Sequence, residues 1–375
     1  MKYIYYIILL VLFSGCIEEY TPTGIEEVSD LLVVEGTITD NESVFKLSRS
    51  VGLSETLTGE EAVNDAFVYV EKDNGDLLPG ISTGNGTYVV STGDLDAGAK
   101  YRFYAVVGDE EYKSDFLSPL FTPEIDSLNL TKRAKGETVY VCVSTHDPTD
   151  RSRYYLWSYK ENWEVKAELF ANYGMMDGVL DYLSLSTSRN TYYCWGKDHS
   201  KTMLLGSSEK LSENLIYQKR LKGMDCTSDK LSVLYYVQVD QIQIRKEAYD
   251  YYSNIQKNIE QTGSIFTPIP SEMKGNIYSV TNPDLPVIGY IDVSTTTTLG
   301  LFVPWNMGFY EAPRVFCFTQ VTGDSDFAYP VYGYYEYYPM DMPPRITYAP
   351  HHCVDCRLKE KATKNKPDFW PNDHL

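Results

Sequence analysis

The densest group of chemically capable side chains is His351-His352-Cys353-Val354-Asp355-Cys356. Two thiolates and an imidazole would fill three of the four tetrahedral positions around zinc. Zinc–thiolate sites usually join two separated ligand pairs, however, and the chain holds no second Cys-x-x-Cys. In an oxidising compartment Cys353 and Cys356 are expected in disulfides instead, to each other or to other cysteines, with no metal. Gly80-Ile81-Ser82-Thr83-Gly84 carries the spacing of a hydrolase elbow. That chemistry needs a strand-to-helix turn lifting the serine over a parallel sheet. Ser82 lies instead between two hairpin turns of an all-β stretch. There is no His-Glu-x-x-His, phosphate-binding Gly-Lys-Ser/Thr loop or dinucleotide fingerprint, so no cofactor is expected. With 52 acidic residues, chance carboxylate pairs are too plentiful to argue a glycosidase. No catalytic residue follows, and the chain is expected not to be an enzyme.

Tyrosine is the other unusual supply. Of 33 tyrosines, six cluster as Tyr329, Tyr332, Tyr334, Tyr335, Tyr337 and Tyr338. A tyrosine ring offers a wide apolar face with a polar tip, useful at protein interfaces and sugar-binding surfaces. The same residue also fills half-buried strand faces. Pro339, Pro343 and Pro344 follow, so part of this stretch must be loop, where binding residues tend to sit. It is the best binding segment the sequence offers.

The compartment is written near the start. Lys2 precedes an apolar run from Tyr3 to Phe13, whose 11 residues would rise only ~17 Å as a helix. A bilayer core is about 30 Å thick, so this run is a signal peptide and not a span. It ends in Leu12-Phe13-Ser14-Gly15-Cys16, the pattern of a bacterial lipobox with Phe13 where leucine is usual. The resemblance implies that Cys16 is acylated and becomes the first mature residue. Glu18 and Glu19 then resemble the acidic signal of surface-exposed lipoproteins. Net charge is −19, or −20 once Lys2 leaves with residues 1–15. No basic cluster offsets it, which argues against nucleic acid as a partner.

These side chains must be held by a body too long for one hydrophobic core. Residues 16–30 are polar, with Pro22 and Gly24, and read as a flexible tether. Residues 31–121 read as a small β-sandwich. Apolar residues alternate at Tyr101, Phe103, Ala105 and Val107, and Asn74-Gly75 and Asn85-Gly86 supply hairpin turns. The order of elements resembles transthyretin-like or carboxypeptidase-regulatory-like modules. Thr122-Pro123 opens a larger β-rich domain, 122–375, with at least two helices. One helix is expected over Ser208 to Leu221, from the spacing of Leu211, Leu215 and Ile216. Another is expected over Lys246 to Thr262, from a stripe of Ala248, Tyr251, Tyr252, Ile255 and Ile259. Between them Leu231 to Ile244 is the clearest strand. Its parity slips from Val239 to Ile242, which predicts a bulge near Asp240-Gln241. The fold class is thus mainly β throughout.

Several fragments together resemble one family. They are Leu32-Val33-Val34-Glu35-Gly36-Thr37-Ile38-Thr39-Asp40, Tyr249-Asp250-Tyr251-Tyr252, Gly263-Ser264-Ile265-Phe266-Thr267-Pro268-Ile269-Pro270 and Val287-Ile288-Gly289-Tyr290. Gly275-Asn276-Ile277, Cys353-Val354-Asp355-Cys356 and Lys366-Pro367-Asp368-Phe369-Trp370 complete the set. In this order they resemble the domain-of-unknown-function 4249 family of Bacteroidota lipoproteins. The resemblance implies an outer-membrane lipoprotein, often encoded beside TonB-dependent transporters, with no established catalytic residues to carry over. The expected role is a lipid-anchored, surface- or periplasm-facing protein that binds a ligand or partner as a transporter accessory. The alternatives are a surface hydrolase acting on glycan or peptide, and a purely structural adhesion protein.

Overall fold

The computed structural model describes residues 30–50, 61–171, 173–176, 179–182, 190–261, 275–317, 332–336 and 345–372. It is mainly β, with two α-helices among those residues. Alternation builds the first sheet. β1 (Leu32–Thr37) and β2 (Asn41–Arg49) turn Leu32, Val34, Phe45 and Leu47 inward. They are followed by β3 (Glu61–Ala62), β4 (Phe67–Lys72), β5 (Leu77–Gly84), β6 (Thr87–Gly93), β7 (Tyr101–Val107) and β8 (Glu110–Ser114). In β7 all four expected residues, Tyr101, Phe103, Ala105 and Val107, face the core. The β5–β6 turn runs through Asn85 and Gly86, with φ of 51° and 70°. This mirror-image turn matches the natural twist of its strands. A Cβ on Gly86 would stand 2.2 Å from the Leu47 carbonyl oxygen, so the close approach to β2 requires glycine.

The strands join in the order β1-β2-β6-β5-β4-β7-β8, with β3 beside β2. The sheet curls on itself, because the Phe45 and Phe103 rings lie 5.1 Å apart although three strands separate β2 from β7. Burying each ring is worth about 2–3 kcal/mol. A much later segment completes this core. β18 (Ile277–Ser279) pairs with β8, and Ile277, Val287, Ile291 and Val293 join the same cluster. Val34 N–H donates to the Ile288 carbonyl at 2.8 Å, and Ser294 N–H to that of Ile38 at 2.9 Å.

The second body packs two sheets face to face. β9 (Ile125–Thr131), β10 (Val139–His146) and β16 (Leu215–Met224) form the smaller one, in the order β16-β10-β9. The larger holds β11 (Tyr154–Lys166), β14 (Tyr193–His199), β17 (Leu234–Gln243) and β19 (Thr296–Pro304), ordered β14-β11-β17-β19. β15 (Leu204–Ser207) pairs beside β11. A third group, β12 (Tyr173–Met176), β13 (Val179–Tyr182), β20 (Tyr332–Glu336) and β21 (Arg345–Tyr348), pairs as β13-β12-β20-β21. The helices are α1 (Lys246–Gln261) and α2 (His351–Val354).

Between the facing sheets Val141, Val143, Leu128 and Ile216 meet Trp157, Tyr235, Val237 and Val239. Within this core sits a fully buried carboxylate, Glu161. Lys222 bonds it at close range, while Lys230 Nζ and Tyr235 Oη each donate to it at 2.7 Å. Burial opposes its charge, but the two lysines outweigh burial and hold the carboxyl below its ordinary range.

Two sequence expectations are corrected. Residues 215–224 form strand β16, so the helix expected over Ser208 to Leu221 is not there. Leu211 and Leu215 are exposed and only Ile216 is buried, so the helical spacing made no face. Pairing with β10 decided the conformation, as tertiary context overrides local preference. β17 also has no bulge: its register with β11 and β19 runs unbroken through Asp240 and Gln241. The inner face simply continues in polar residues. Gln241 is buried, accepting from Trp157 Nε1 at 2.8 Å and donating to the Pro123 carbonyl at 2.9 Å. Ile242 lies on the other face, where α1 covers it with Ala248 and Tyr251.

Candidate functional site

A cleft of about 840 Å³ opens where the two bodies meet. The first body supplies one wall from β1 and β2: Glu35, Thr37, Glu42 and Val44. The opposite wall is the outer face of the larger sheet, with Leu156 and Ser158 on β11 and Asp240 and Ile242 on β17. Gln256 of α1 and residues 200–203 close one end. The seam is tied by Thr296 N–H, which donates to Asp40 Oδ1 at 2.7 Å across 256 residues of sequence. A second tie is Arg245, whose guanidinium pairs with buried Asp292 at close range and whose N–H donates to it at 2.8 Å. Burial drives the Asp292 carboxyl upward, and Arg245 works against that.

Chemically the cleft mixes three carboxylates, Glu35, Glu42 and Asp240, with threonine and serine hydroxyls and a patch of Val44, Leu156, Ile242 and Met203. Lys201 is its one lysine or arginine among the described residues. Asp240 is already engaged, accepting from Thr298 Oγ1 at 2.7 Å and Gln238 Nε2 at 3.0 Å. No histidine or cysteine lines the cleft among the described residues. Such a lining can hold a polar ligand by hydrogen bonds around an apolar patch. Sites at the junction of two bodies are a common place for this.

Cys353 and Cys356 do enter disulfides, and each takes a different partner: Cys317–Cys353 and Cys194–Cys356. Cys142 and Cys226 are buried free thiols. His352 lies with the Cys317 and Cys353 sulfurs, but bonded sulfurs offer no thiolate to a metal. His351 Nε2 instead meets Asp355 Oδ2 at 2.7 Å, and Arg357 pairs with the same carboxylate at 2.6 Å. Ser82 falls inside β5, in a strand that leads to a hairpin, so the elbow geometry is not there. Tyr332, Tyr334 and Tyr335 fall on β20, of which the backbone is described. Tyr329, Tyr337, Tyr338 and Cys16 lie outside the described residues.

The sequence reading missed the cleft residues. The usable signal was the parity change at Ile242, which marks where both faces of β17 are covered. A family model described as a domain of unknown function (DUF4249) matches residues 17–299. No curated protein matches the chain.

Proposed function

The chain belongs to the DUF4249 family, and from that premise we propose that it is a lipid-anchored outer-membrane protein that binds a ligand without transforming it, as an accessory of a TonB-dependent transporter. The observation that carries the binding half is the cleft of about 840 Å³ between the two β bodies, with hydroxyls and carboxylates set around an apolar patch. It is large enough for a drug-sized molecule or a short oligomer. The anchor half rests on the Leu12–Cys16 motif, which puts a diacylated cysteine ahead of a polar tether. One acyl chain gives only marginal membrane attachment, whereas two give a stable anchor.

The test is isolation of the native protein from mildly solubilised membranes, with mass spectrometry of its N-terminus and of whatever comes with it. The expected result is a lipidated Cys16 and a TonB-dependent transporter in the same complex. An unmodified Cys16 thiol removes the anchor. Recovery without a transporter under every growth condition removes the accessory role.

A further inference from the structure

The outer face of the larger sheet does not end at the cleft. Its side chains form rows across β14, β11, β17 and β19, fixed by the register. Ser158, Asp240 and Thr298 make the first row, at the cleft. The next is His199, Lys160, Gln238 and Gly300, and the third is Lys197, Asn162, Tyr236 and Phe302. Beyond it the C-terminal tail crosses the sheet. Trp370 is buried there and donates Nε1–H to Glu164 at 2.8 Å, but Phe369 stays 54% exposed. The Tyr236 ring lies 4.5 Å from that of Phe302 and 5.0 Å from that of Phe369. Phe302 is 38% exposed. An aromatic wall therefore stands at one end of an open strip of amides and amines.

Gly300 shapes the strip. A Cβ there would stand 2.5 Å from Tyr236 Oη, so the phenol leans across the glycine toward the Lys160–Gln238 row. Successive rows lie about 7 Å apart along the strands, and neighbouring strands about 4.8 Å apart. Aromatic faces and hydrogen-bonding groups thus alternate on the scale of one small ring.

We propose that this face binds saccharide: Tyr236, Phe302 and Phe369 stack on the C–H face of a pyranose, and Asn162, Gln238 and Lys160 hydrogen-bond its rim hydroxyls. A pyranose has that dual character, with C–H groups on its faces and hydroxyls at its edge. The negative π-face of an aromatic ring attracts the polarised C–H groups. The hydroxyls must find partners once water leaves, and the neighbouring row supplies them. The Asp240 carboxylate is already bonded by Thr298 and Gln238, with Lys160 Nζ at 3.8 Å, so the strip favours an uncharged ligand. A protein partner fits less well. Protein interfaces place the apolar groups at the centre and the polar ones at the rim, whereas here the polar row lies between the cleft and the aromatic wall. The inference goes beyond the transporter role and needs neither the anchor nor a partner protein.

The test is affinity electrophoresis of the full mature chain in gels containing, separately, a xylan, a mannan, a β-glucan and an α-glucan. At least one should retard the wild type. F302A and F369A should each weaken that retardation about tenfold. Asn162 makes no side-chain hydrogen bond to a described residue, so N162A should weaken binding about threefold with unchanged unfolding temperature. This variant separates lost recognition from a displaced tail. E35Q and E42Q, in the cleft, should leave the retardation as it was. Retardation by none of the four polymers, or equal retardation of wild type and the F302A/N162A double variant, overturns the proposal. Loss on E35Q and E42Q alone would assign the sugar to the cleft, and likewise overturns it.

Discussion

Replacing Glu161 by leucine should cost the fold about 3 kcal/mol. Removing one partner of a buried ion pair costs about 3–5 kcal/mol, because the charge left behind has lost its counterion. Here two ammonium groups are left, Lys222 and Lys230, each with a small solvent-facing fraction of 15% and 13%. Both also lie over aromatic rings, Tyr159 at 5.2 Å and Trp163 at 4.0 Å. They can lean toward water and keep those contacts, so the lower end of the range applies. With a urea slope of about 3 kcal/mol/M, the midpoint should fall by about 1 M at pH 7. The Glu161 carboxyl is held below its ordinary value in the folded state. Its stabilisation is therefore complete above the unfolded carboxyl's value, roughly pH 4.3, and disappears as pH falls through the lower folded value. The gap between wild type and E161L should narrow over that same window. The triple variant E161L/K222M/K230M, which replaces the ion group by apolar side chains, should regain most of the loss. A midpoint shift under about 0.2 M, or a gap as wide at pH 2 as at pH 7, would refute the assignment of Glu161 as a stabilising charge.

Thiol titration of the denatured, unreduced mature chain should find two free thiols from Cys142 and Cys226, with four more after reduction. Breaking the Cys194–Cys356 link by C194S/C356S should cost up to about 5 kcal/mol in urea unfolding, since it closes a loop spanning 162 residues. Asp147 accepts from the Thr149, Arg151 and Ser152 N–H groups and the Thr149 hydroxyl at 2.6–2.9 Å. Burial alone would raise its carboxyl, but these bonds hold it down to about 2. D147N should therefore lose about 2 kcal/mol at pH 7, and the difference should fade as pH drops from about 4 towards 2. At Gly196 an added Cβ would stand 2.2 Å from the Trp163 indole, so G196A should lower the unfolding temperature through a loss of about 1–3 kcal/mol.

What the sequence disclosed follows the range of the interactions involved. Strands whose pattern repeats every two residues were legible, β7 most of all, because sheet pairing and core burial ask the same thing of each residue. Asn85-Gly86 was legible because a mirror-image turn constrains two neighbouring residues. Residues 215–224 were misread because a helical spacing of three leucine-like residues is a weak local preference, and β10 overruled it from 69 to 85 positions away. The return of residues 277–293 to the first core could not be seen either, since nothing near Val287 names Leu32 as its neighbour.

The candidate site follows the same rule in sharper form. Its cleft draws on residues 35–44, 156–158, 200–203, 240–242, 256 and 296, so no window of sequence contains it. The aromatic wall beyond the cleft is likewise assembled, from Tyr236 and Phe302 on neighbouring strands and Phe369 on the tail. The six clustered tyrosines are adjacent in sequence and so legible there, whereas Tyr236 and Phe302 are adjacent only across a sheet. Tyr236 stands directly opposite Phe302, and Ile242 shares its outer face because β17 runs through Asp240 and Gln241 without a bulge. Had the strand slipped there, every residue from Ile242 onward would have changed face. Ile242 would then no longer share one outer face with Asp240 and Tyr236. Regularity at Gln241, secured by its buried hydrogen bonds to Trp157 and Pro123, is what places cleft and aromatic wall on the same surface.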